Sequence, residues 1–407
     1  MAAGPAGGAA GCGRAPVGAC ASSNRIAMTM SHCSLLAAAD SHREWAIALI
    51  EDLVRLESPS GAASALNQCG AALAHHMTML GGRVTPIAAP GAGDHLRAEF
   101  GTGQSQVLVL GHFDTVWPVG QLERMPVRLE DGRLYGPGTF DMKAGIAQAL
   151  LAVRAVIDTN RAWPHRLVML WTTDEEIGST TSRALIEAEA RRSRAVLVLE
   201  PSLPGGALKT SRKGVGDFRV RATGIAAHAG VDPTRGASAI HELAWQVTRL
   251  TELTDLANGV TVNVGLISGG SRSNVVAELA EAVVDVRIPT AADAARVTSA
   301  VTQLVARDSR VTLEVSGGID RPPLERTPQV VALFNLASAI AADMGRTLGE
   351  GATGGGSDGN FTAALGIPTL DGLGAEGDGA HALHEHVLVE SLAFRAALVA
   401  GLILNIK

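Results

Sequence analysis

The chain has 407 residues, of which 46% are hydrophobic and 18% are charged, and its formal net charge is −6. This composition excludes a disordered protein, and the negative charge argues against a nucleic-acid partner, because phosphate binding needs a basic surface. Every apolar run is shorter than the roughly 18 residues that a membrane span requires, so we expect no membrane partner.

The N-terminal segment, residues 1–35, is rich in Gly and Ala and lacks the apolar stretch of a secretory signal. We therefore expect a disordered leader and a cytoplasmic protein, with export by a degenerate signal as the alternative. Three of the four cysteines lie in this segment, and none of the four forms a C-x-x-C pair. This pattern indicates neither a disulfide framework nor a cysteine-ligated metal site.

Helical patterns open the part after residue 40, and three short apolar runs without polar interruption follow. The runs are "VLVLG" from residue 107, "RLVMLW" from residue 166 and "AVLVLE" from residue 195, with helical segments between them. Strands that are buried on both faces of a sheet have this composition. The alternation predicts an α/β domain with a mostly parallel sheet and helices on both faces.

The character of the sequence changes after residue 212. "GDFRVRATG" and "VVDVRIP" alternate apolar with polar residues, as half-exposed antiparallel strands do, and helical patterns lie near them. The order β-α-β-β-α-β predicts a small α+β domain over residues 213–322. This domain is inserted into the larger one, which residues 36–212 and 323–407 form.

Acidic or imidazole side chains stand where each predicted buried strand ends. His112 and Asp114 follow the first strand, the acids at 174–176 follow the second, and Glu200 follows the third. Asp141 begins a helix between the first two strands. Because ligands of open α/β sheets bind at the carboxyl ends of the strands, we expect these side chains to converge on one crevice.

A divalent cation is the simplest reason for such a cluster, because crowded carboxylates otherwise resist ionisation. Histidine and carboxylates without a thiolate suit zinc, and also cobalt or manganese. A further ligand is available from His381, His384 or His386, and spacing alone does not choose among them. Taken singly, a histidine at a strand end is more often a hydrogen-bonded structural residue, and a lone acid is more often a helix cap or part of a solvated acidic turn.

The motifs "GHFDTVWP", "GRLYGPGTFDMKAG", "TTDEEIGS", "LEPS" and "GAHALHEHV" follow one another in the chain. In order and approximate spacing they resemble the M20 family of di-zinc metallopeptidases. The resemblance covers nearly everything after residue 40 and is strongest to the glutamate carboxypeptidase (carboxypeptidase G2-like) branch. It implies that the larger domain is catalytic and binds zinc, that the inserted domain is a dimerisation lid, and that the protein is a homodimer.

The resemblance also implies a ligand set for two zinc ions per subunit, with cobalt or manganese as possible substitutes. His112 and Glu200 match ligands of one ion, Glu176 and His381 match ligands of the other, and Asp141 matches the carboxylate that bridges both. The peptide bond after the bridging carboxylate is often cis in the family.

Further residues match positions that act on the substrate. Asp114 matches the acid that orients a metal-binding histidine, and Glu175 matches the general base. His228, in "AAHAG", matches a histidine that reaches the active site of the partner subunit. Asn274 and Arg287 match groups that hold a substrate carboxylate.

The resulting hypothesis is metal-dependent hydrolysis of an amide or peptide bond, with release of a C-terminal glutamate or similar residue from a small peptide or N-acyl amino acid. Within the family, an N-acyl-amino-acid deacylase similar to acetylornithine deacetylase, or a di- or tripeptidase, is the alternative. A non-catalytic peptide-binding module is the alternative from another class, and the presence of Glu175 and all matched ligands argues against it.

Overall fold

The computed structural model describes Met1 and residues 32–407. Most of the predicted leader, residues 1–35, lies outside the described residues. Its last part, residues 32–35, is helical, and Leu35 is fully buried. The expectation of disorder is therefore wrong for these four residues, because an apolar side chain ties them to the core.

Helices and strands alternate through most of the chain. After a helical segment over residues 32–41, the α-helices are α1 (Arg43–Arg55), α2 (Ala63–Met79), α3 (Ala144–Asp158), α4 (Arg183–Ala190), α5 (Ala239–Thr251), α6 (Ala291–Thr302), α7 (Pro328–Asp343), α8 (Gly359–Ala364) and α9 (Leu392–Asn405). The strands are β1 (Arg83–Ile87), β2 (His95–Phe100), β3 (Gln106–His112), β4 (Arg128–Glu130), β5 (Arg133–Tyr135), β6 (Arg166–Thr172), β7 (Ser193–Val198), β8 (Leu208–Arg212), β9 (Gly214–Thr223), β10 (Thr261–Gly269), β11 (Leu279–Ile288), β12 (Thr312–Arg321), β13 (Glu350–Thr353), β14 (Thr369–Leu370), β15 (Gly377–Asp378) and β16 (His386–Leu388). Among the helices described, each is too short or too polar to traverse a lipid bilayer.

The largest sheet has six strands in the order β1-β2-β6-β3-β7-β14. The four strands from β6 to β14 run parallel to one another, whereas β1 and β2 continue the sheet in antiparallel fashion. The three apolar runs of the sequence are β6, β3 and β7, and they are direct neighbours. This arrangement confirms the predicted mostly parallel sheet.

Both faces of this sheet are covered, which explains the uninterrupted apolar runs. In β3, Val107 and Val109 face a core that includes α3 and α9, whereas Leu108 and Leu110 face a second core with α4 and α8. Successive side chains of a strand point to opposite faces, so a polar residue at either set of positions would be buried. The prediction of helices on both faces is confirmed.

A second sheet lies between residues 214 and 321 and has the order β10-β11-β9-β12, with every pair antiparallel. With α5 and α6 its strands follow the predicted order β-α-β-β-α-β. They bury an apolar cluster of their own, separate from that of the large sheet. The observed α+β unit confirms the fold class, and we keep residues 213–322 as the proposed boundaries of the inserted domain.

Candidate metal centre and active site

The carboxyl ends of β3, β6 and β7 lie side by side, so the residues at these ends meet at one edge of the sheet. His112 is the last residue of β3, Glu176 follows β6, and Glu200 follows β7. Asp141 comes from the turn before α3, and His381 comes from the loop between β15 and β16. Five residues from distant parts of the chain thus reach the same crevice.

These five side chains form two groups that share Asp141. In the first group, Nε2 of His112 lies 3.3 Å from Oδ1 of Asp141 and 3.4 Å from Oε1 of Glu200. In the second group, Nε2 of His381 lies 3.5 Å from Oδ2 of Asp141 and 3.3 Å from Oε1 of Glu176. Each oxygen of Asp141 therefore faces a different histidine, which is the arrangement expected of a bridging carboxylate.

The first group needs a positive charge, either a proton on Nε2 of His112 or a cation. Nδ1 of His112 lies 3.0 Å from the carbonyl oxygen of Asp114, which can only accept a hydrogen bond, so Nδ1 carries the hydrogen of the neutral ring. The lone pair of Nε2 then faces two carboxylate oxygens, and Oδ1 of Asp141 is buried without receiving a hydrogen bond. Three acceptors that point at one another in a buried place require a positive charge between them.

The electrostatics of both groups favour such a charge. Burial lowers the pKa of His112, but its carboxylate neighbours outweigh burial and raise that pKa well above the ordinary value. Contacts with Asp141 and Glu176 raise the pKa of His381 to about 10. A divalent cation can replace these protons, and one imidazole with two carboxylates per group is a donor set that zinc, cobalt or manganese accepts. The residues present therefore fit a metal pair.

Glu175 and Glu176 are separated by a local turn. A short 3₁₀ turn over Glu175–Ile177 ends at Gly178, whose φ of 97° lies in the left-handed region. In a regular strand the two adjacent acids would point to opposite faces, whereas this turn lets both line the same cleft. Burial raises the pKa of the Glu175 carboxyl well above its ordinary value, although Arg321 acts in the opposite direction.

Asp114 holds this turn as well as the first histidine. Its carboxylate accepts hydrogen bonds from the N–H groups of Glu175 and Glu176 at 3.3 and 3.2 Å, and from Oγ of Ser60 at 2.7 Å. Its Oδ1 also lies 3.4 Å from Nδ1 of His112. One buried carboxylate therefore links a first-group ligand with the turn that carries Glu175 and Glu176.

Comparison with known proteins identifies the family. The model of peptidase family M20/M25/M40 matches residues 108–405. The chain belongs to this family. Our M20 interpretation of the sequence motifs is therefore confirmed, and the protein is a metal-dependent hydrolase that acts on amide bonds.

Individual relatives agree with the assignment to M20. Carboxypeptidase G2 of Pseudomonas sp. (strain RS-16) is 31% identical over 382 residues, which cover 91% of this chain and 92% of the relative. Succinyl-diaminopimelate desuccinylase of Thiobacillus denitrificans (strain ATCC 25259 / T1) is 29% identical over 325 residues, which cover 75% of this chain and 81% of the relative. The crystal structure of aminopeptidase PepT from Bacillus cereus ATCC 10987 has the same fold, with a TM-score of 0.74. The two chains are 24% identical, and the match covers 89% of this chain and 98% of the PepT chain.

Residues of the inserted domain occupy two different places in this M20 hydrolase. Arg287 lines the cleft beside Glu175 and Glu176, and its guanidinium is paired with Asp285 at 2.7 Å. His228 is exposed on the inserted domain, where its Nδ1 accepts hydrogen bonds from two backbone N–H groups. The structure therefore brings Arg287 to the cleft but not His228.

Asn274 lies beside His228 on the same exposed surface. The N–H of Ala229 donates to the carbonyl oxygen of Asn274 at 2.9 Å, and His228 pairs with Val275 in a short β-bridge. Within residues 32–407, no hydrogen bond or ion pair joins His228 or Asn274 to the five residues of the metal centre.

Two residues that contact the site are given no role by the motif analysis. Nη2 of Arg321, at the end of β12, lies 2.9 Å from the carbonyl oxygen of Glu175 and 3.1 Å from its Oε1, and Nη1 binds Asp358. No sequence feature marks Arg321, because an arginine before two prolines simply resembles a strand end. The second is Glu385, whose carboxylate accepts hydrogen bonds from the turn that carries Asp141. The sequence feature that could have marked Glu385 is its position four residues after His381.

Proposed function

We propose that this M20 hydrolase releases a C-terminal glutamate, or a similar amino acid, from a small peptide or N-acyl amino acid with the help of two zinc ions. The sharing of Asp141 between two groups of one histidine and two carboxylates is the observation that carries the two-ion proposal. His112 and Glu200 would complete one set of ligands, and Glu176 and His381 the other. Cobalt or manganese would suit the same donors.

Glu175 acts as the general base in this proposal. When bound, the ions supply Lewis acidity and lower the pKa of a water molecule towards neutrality. Glu175 accepts a proton as the water attacks the scissile carbonyl carbon, and it later donates this proton to the leaving nitrogen. Because burial raises the pKa of Glu175, the carboxyl group readily accepts a proton. Arg321 holds the base in place through both its carbonyl and its carboxylate oxygens.

Two cationic side chains support a substrate with two carboxylates. Arg287 faces the cleft, and Asp285 orients it by accepting hydrogen bonds from its Nε and Nη2. These bonds leave the Nη1 side of the guanidinium for an α-carboxylate. Lys209, in β8, is only 8% exposed, and its ammonium group has no hydrogen bond or ion pair within the described part of the chain. Burial and the nearby Arg212 lower the pKa of Lys209, whereas Asp371, Glu200 and Asp141 act in the opposite direction. A glutamate side chain would supply the missing partner.

An exposed edge strand supports the proposed homodimer. β10 ends the second sheet, and Leu266 and Ile267 on this strand are 68% and 60% exposed. An apolar edge strand with unpaired backbone groups is suited to pairing with another chain. We propose that β10 meets its copy there, so that His228 and Asn274 reach the active site of the partner.

The test is hydrolysis of a small panel by the zinc-loaded protein and again after chelation. The panel contains an N-acyl glutamate, a folate-like glutamyl amide, N-acetylornithine and a dipeptide with a free N-terminus. We expect rapid cleavage of the two glutamyl compounds, slow cleavage of the others, and loss of all activity on chelation. Preference for acetylornithine would favour the deacylase, preference for the dipeptide would favour the peptidase, and no metal-dependent cleavage would favour the binding module.

Lys209→Met provides a matched control for the choice of substrate. It removes the ammonium group and keeps a side chain of similar length, while Arg287 and the metal ligands remain. We expect a lower kcat/KM for the glutamyl compounds and an unchanged value for substrates without a second carboxylate. Equal loss on every substrate would contradict the assignment of Lys209 to the glutamate side chain.

A further inference from the structure

The carboxylate of Glu385 is a buried acceptor for four N–H groups. Oε1 accepts from the backbone N–H of Phe140 at 2.9 Å and of Asp141 at 3.1 Å. Oε2 accepts from the N–H of Gly138 at 2.9 Å and from Nε1 of Trp117 at 2.8 Å. Three of the four donors belong to the turn that presents Asp141 to both metal-ligand groups.

The backbone around Glu385 closes the loop that carries His381. The N–H of Glu385 donates to the carbonyl oxygen of Ala382 at 2.9 Å, and Ala382 donates to Gly379 at 2.8 Å. Gly379 has a φ of 82°, and a Cβ there would lie 2.9 Å from the backbone of Glu385. The loop is therefore tightly folded against Glu385. One residue thus joins the turn of Asp141 to the loop of His381.

The two metal-ligand groups depend on this junction to different degrees. His112 and Glu200 stand at the ends of central strands of the large sheet and are buried. The side chain of His381 is 51% exposed and sits on a loop, so its position relative to Asp141 depends on what fixes that loop. The carboxylate of Glu385 supplies side-chain hydrogen bonds that join this loop to the turn.

We infer that Glu385 is a positioning residue that sets the affinity of the second metal group, formed by Asp141, Glu176 and His381, more than that of the first. The inference rests on the proposed two-ion function. Groups that orient metal ligands typically contribute about 10–100-fold to metal affinity. Replacement by glutamine keeps the shape but turns an amide NH₂ towards two N–H donors, so at least one pair of hydrogen bonds is lost.

The test is a metal titration of the apoprotein with Zn²⁺ or Co²⁺, which resolves the binding of each ion by calorimetry and competing chelator. We expect Glu385→Gln to keep one tightly bound ion and to bind the second about 10–100-fold more weakly. His381→Ala is the reference for loss of the second group. Trp117→Phe is the matched control, since it removes the one donor outside the Asp141 turn, and we expect nearly unchanged binding of both ions.

The possible outcomes separate the inference from the proposed function. Two ions in the wild-type protein with unchanged affinities in Glu385→Gln would overturn the inference and leave the proposed function intact. Fewer than two ions in the wild-type protein would overturn both. If circular dichroism shows that Glu385→Gln does not fold, Glu385→Asp serves the same test, because it keeps the charge but shortens the reach to the turn. Selective weakening of the second ion supports the inference in either variant.

Discussion

Glu175→Gln is expected to lower kcat by about 10²–10⁴-fold while the protein still binds both metal ions, because the amide cannot accept the proton of the attacking water. Glu175 is not one of the five residues in the two metal-ligand groups. Its carboxylate contacts Arg321, and burial raises its pKa, so its environment prepares it for proton transfer. The measurement is kcat on the glutamyl amide together with the metal content of the same sample.

Glu176→Gln is the matched control for this experiment. It changes the adjacent residue in the same turn by the same substitution, but Glu176 faces Asp141 and His381 in the second metal group. We expect this variant to lose metal as well as activity. A Glu175→Gln protein that loses metal to the same extent, or that retains nearly full kcat, would contradict the general-base role.

Two inactive variants should restore each other's activity if His228 serves the partner subunit. We propose that His228 stabilises the negative charge that develops on the carbonyl oxygen, and we therefore expect His228→Ala to lower kcat by about 10²–10³-fold. Mixed with Glu175→Gln, it forms heterodimers in which one active site has both Glu175 and the partner's intact histidine. With random exchange of subunits, the mixture should recover about a quarter of wild-type activity.

The mixing experiment distinguishes a role in trans from a role within one chain. His228 is exposed and bonded only to neighbouring backbone groups, so the described chain offers it no catalytic contact of its own. Sedimentation would verify that the mixed species is a dimer. Full dimer formation without recovery of activity would show that His228 does not reach the partner's site.

Strand ends are the part of the site that the sequence predicts well. The uninterrupted apolar runs of β3, β6 and β7 locate the buried strands, and parallel pairing then brings their carboxyl ends together. His112 and Glu200 can therefore be assigned to one crevice before the structure is known. The glycine after the two adjacent acids likewise predicts the turn at Gly178.

Loop residues and long-range contacts are the part that the sequence leaves open. Spacing does not choose among three nearby histidines, and in the structure Nδ1 of His386 binds the carbonyl oxygen of His384 while His381 turns to Asp141. Arg321 reaches Glu175 across 146 residues of sequence, so no local pattern marks it. Such contacts form only where distant parts of the chain pack together, and local sequence patterns do not predict that packing.

Anomalous diffraction from a crystal of the zinc-loaded protein, recorded at the zinc absorption edge, tests the two-ion centre most directly. We expect two peaks, one among His112, Asp141 and Glu200 and the other among Asp141, Glu176 and His381, with Asp141 a ligand of both. A single peak, or peaks that do not involve Asp141, would contradict a bridged metal pair as the basis of this enzyme's chemistry.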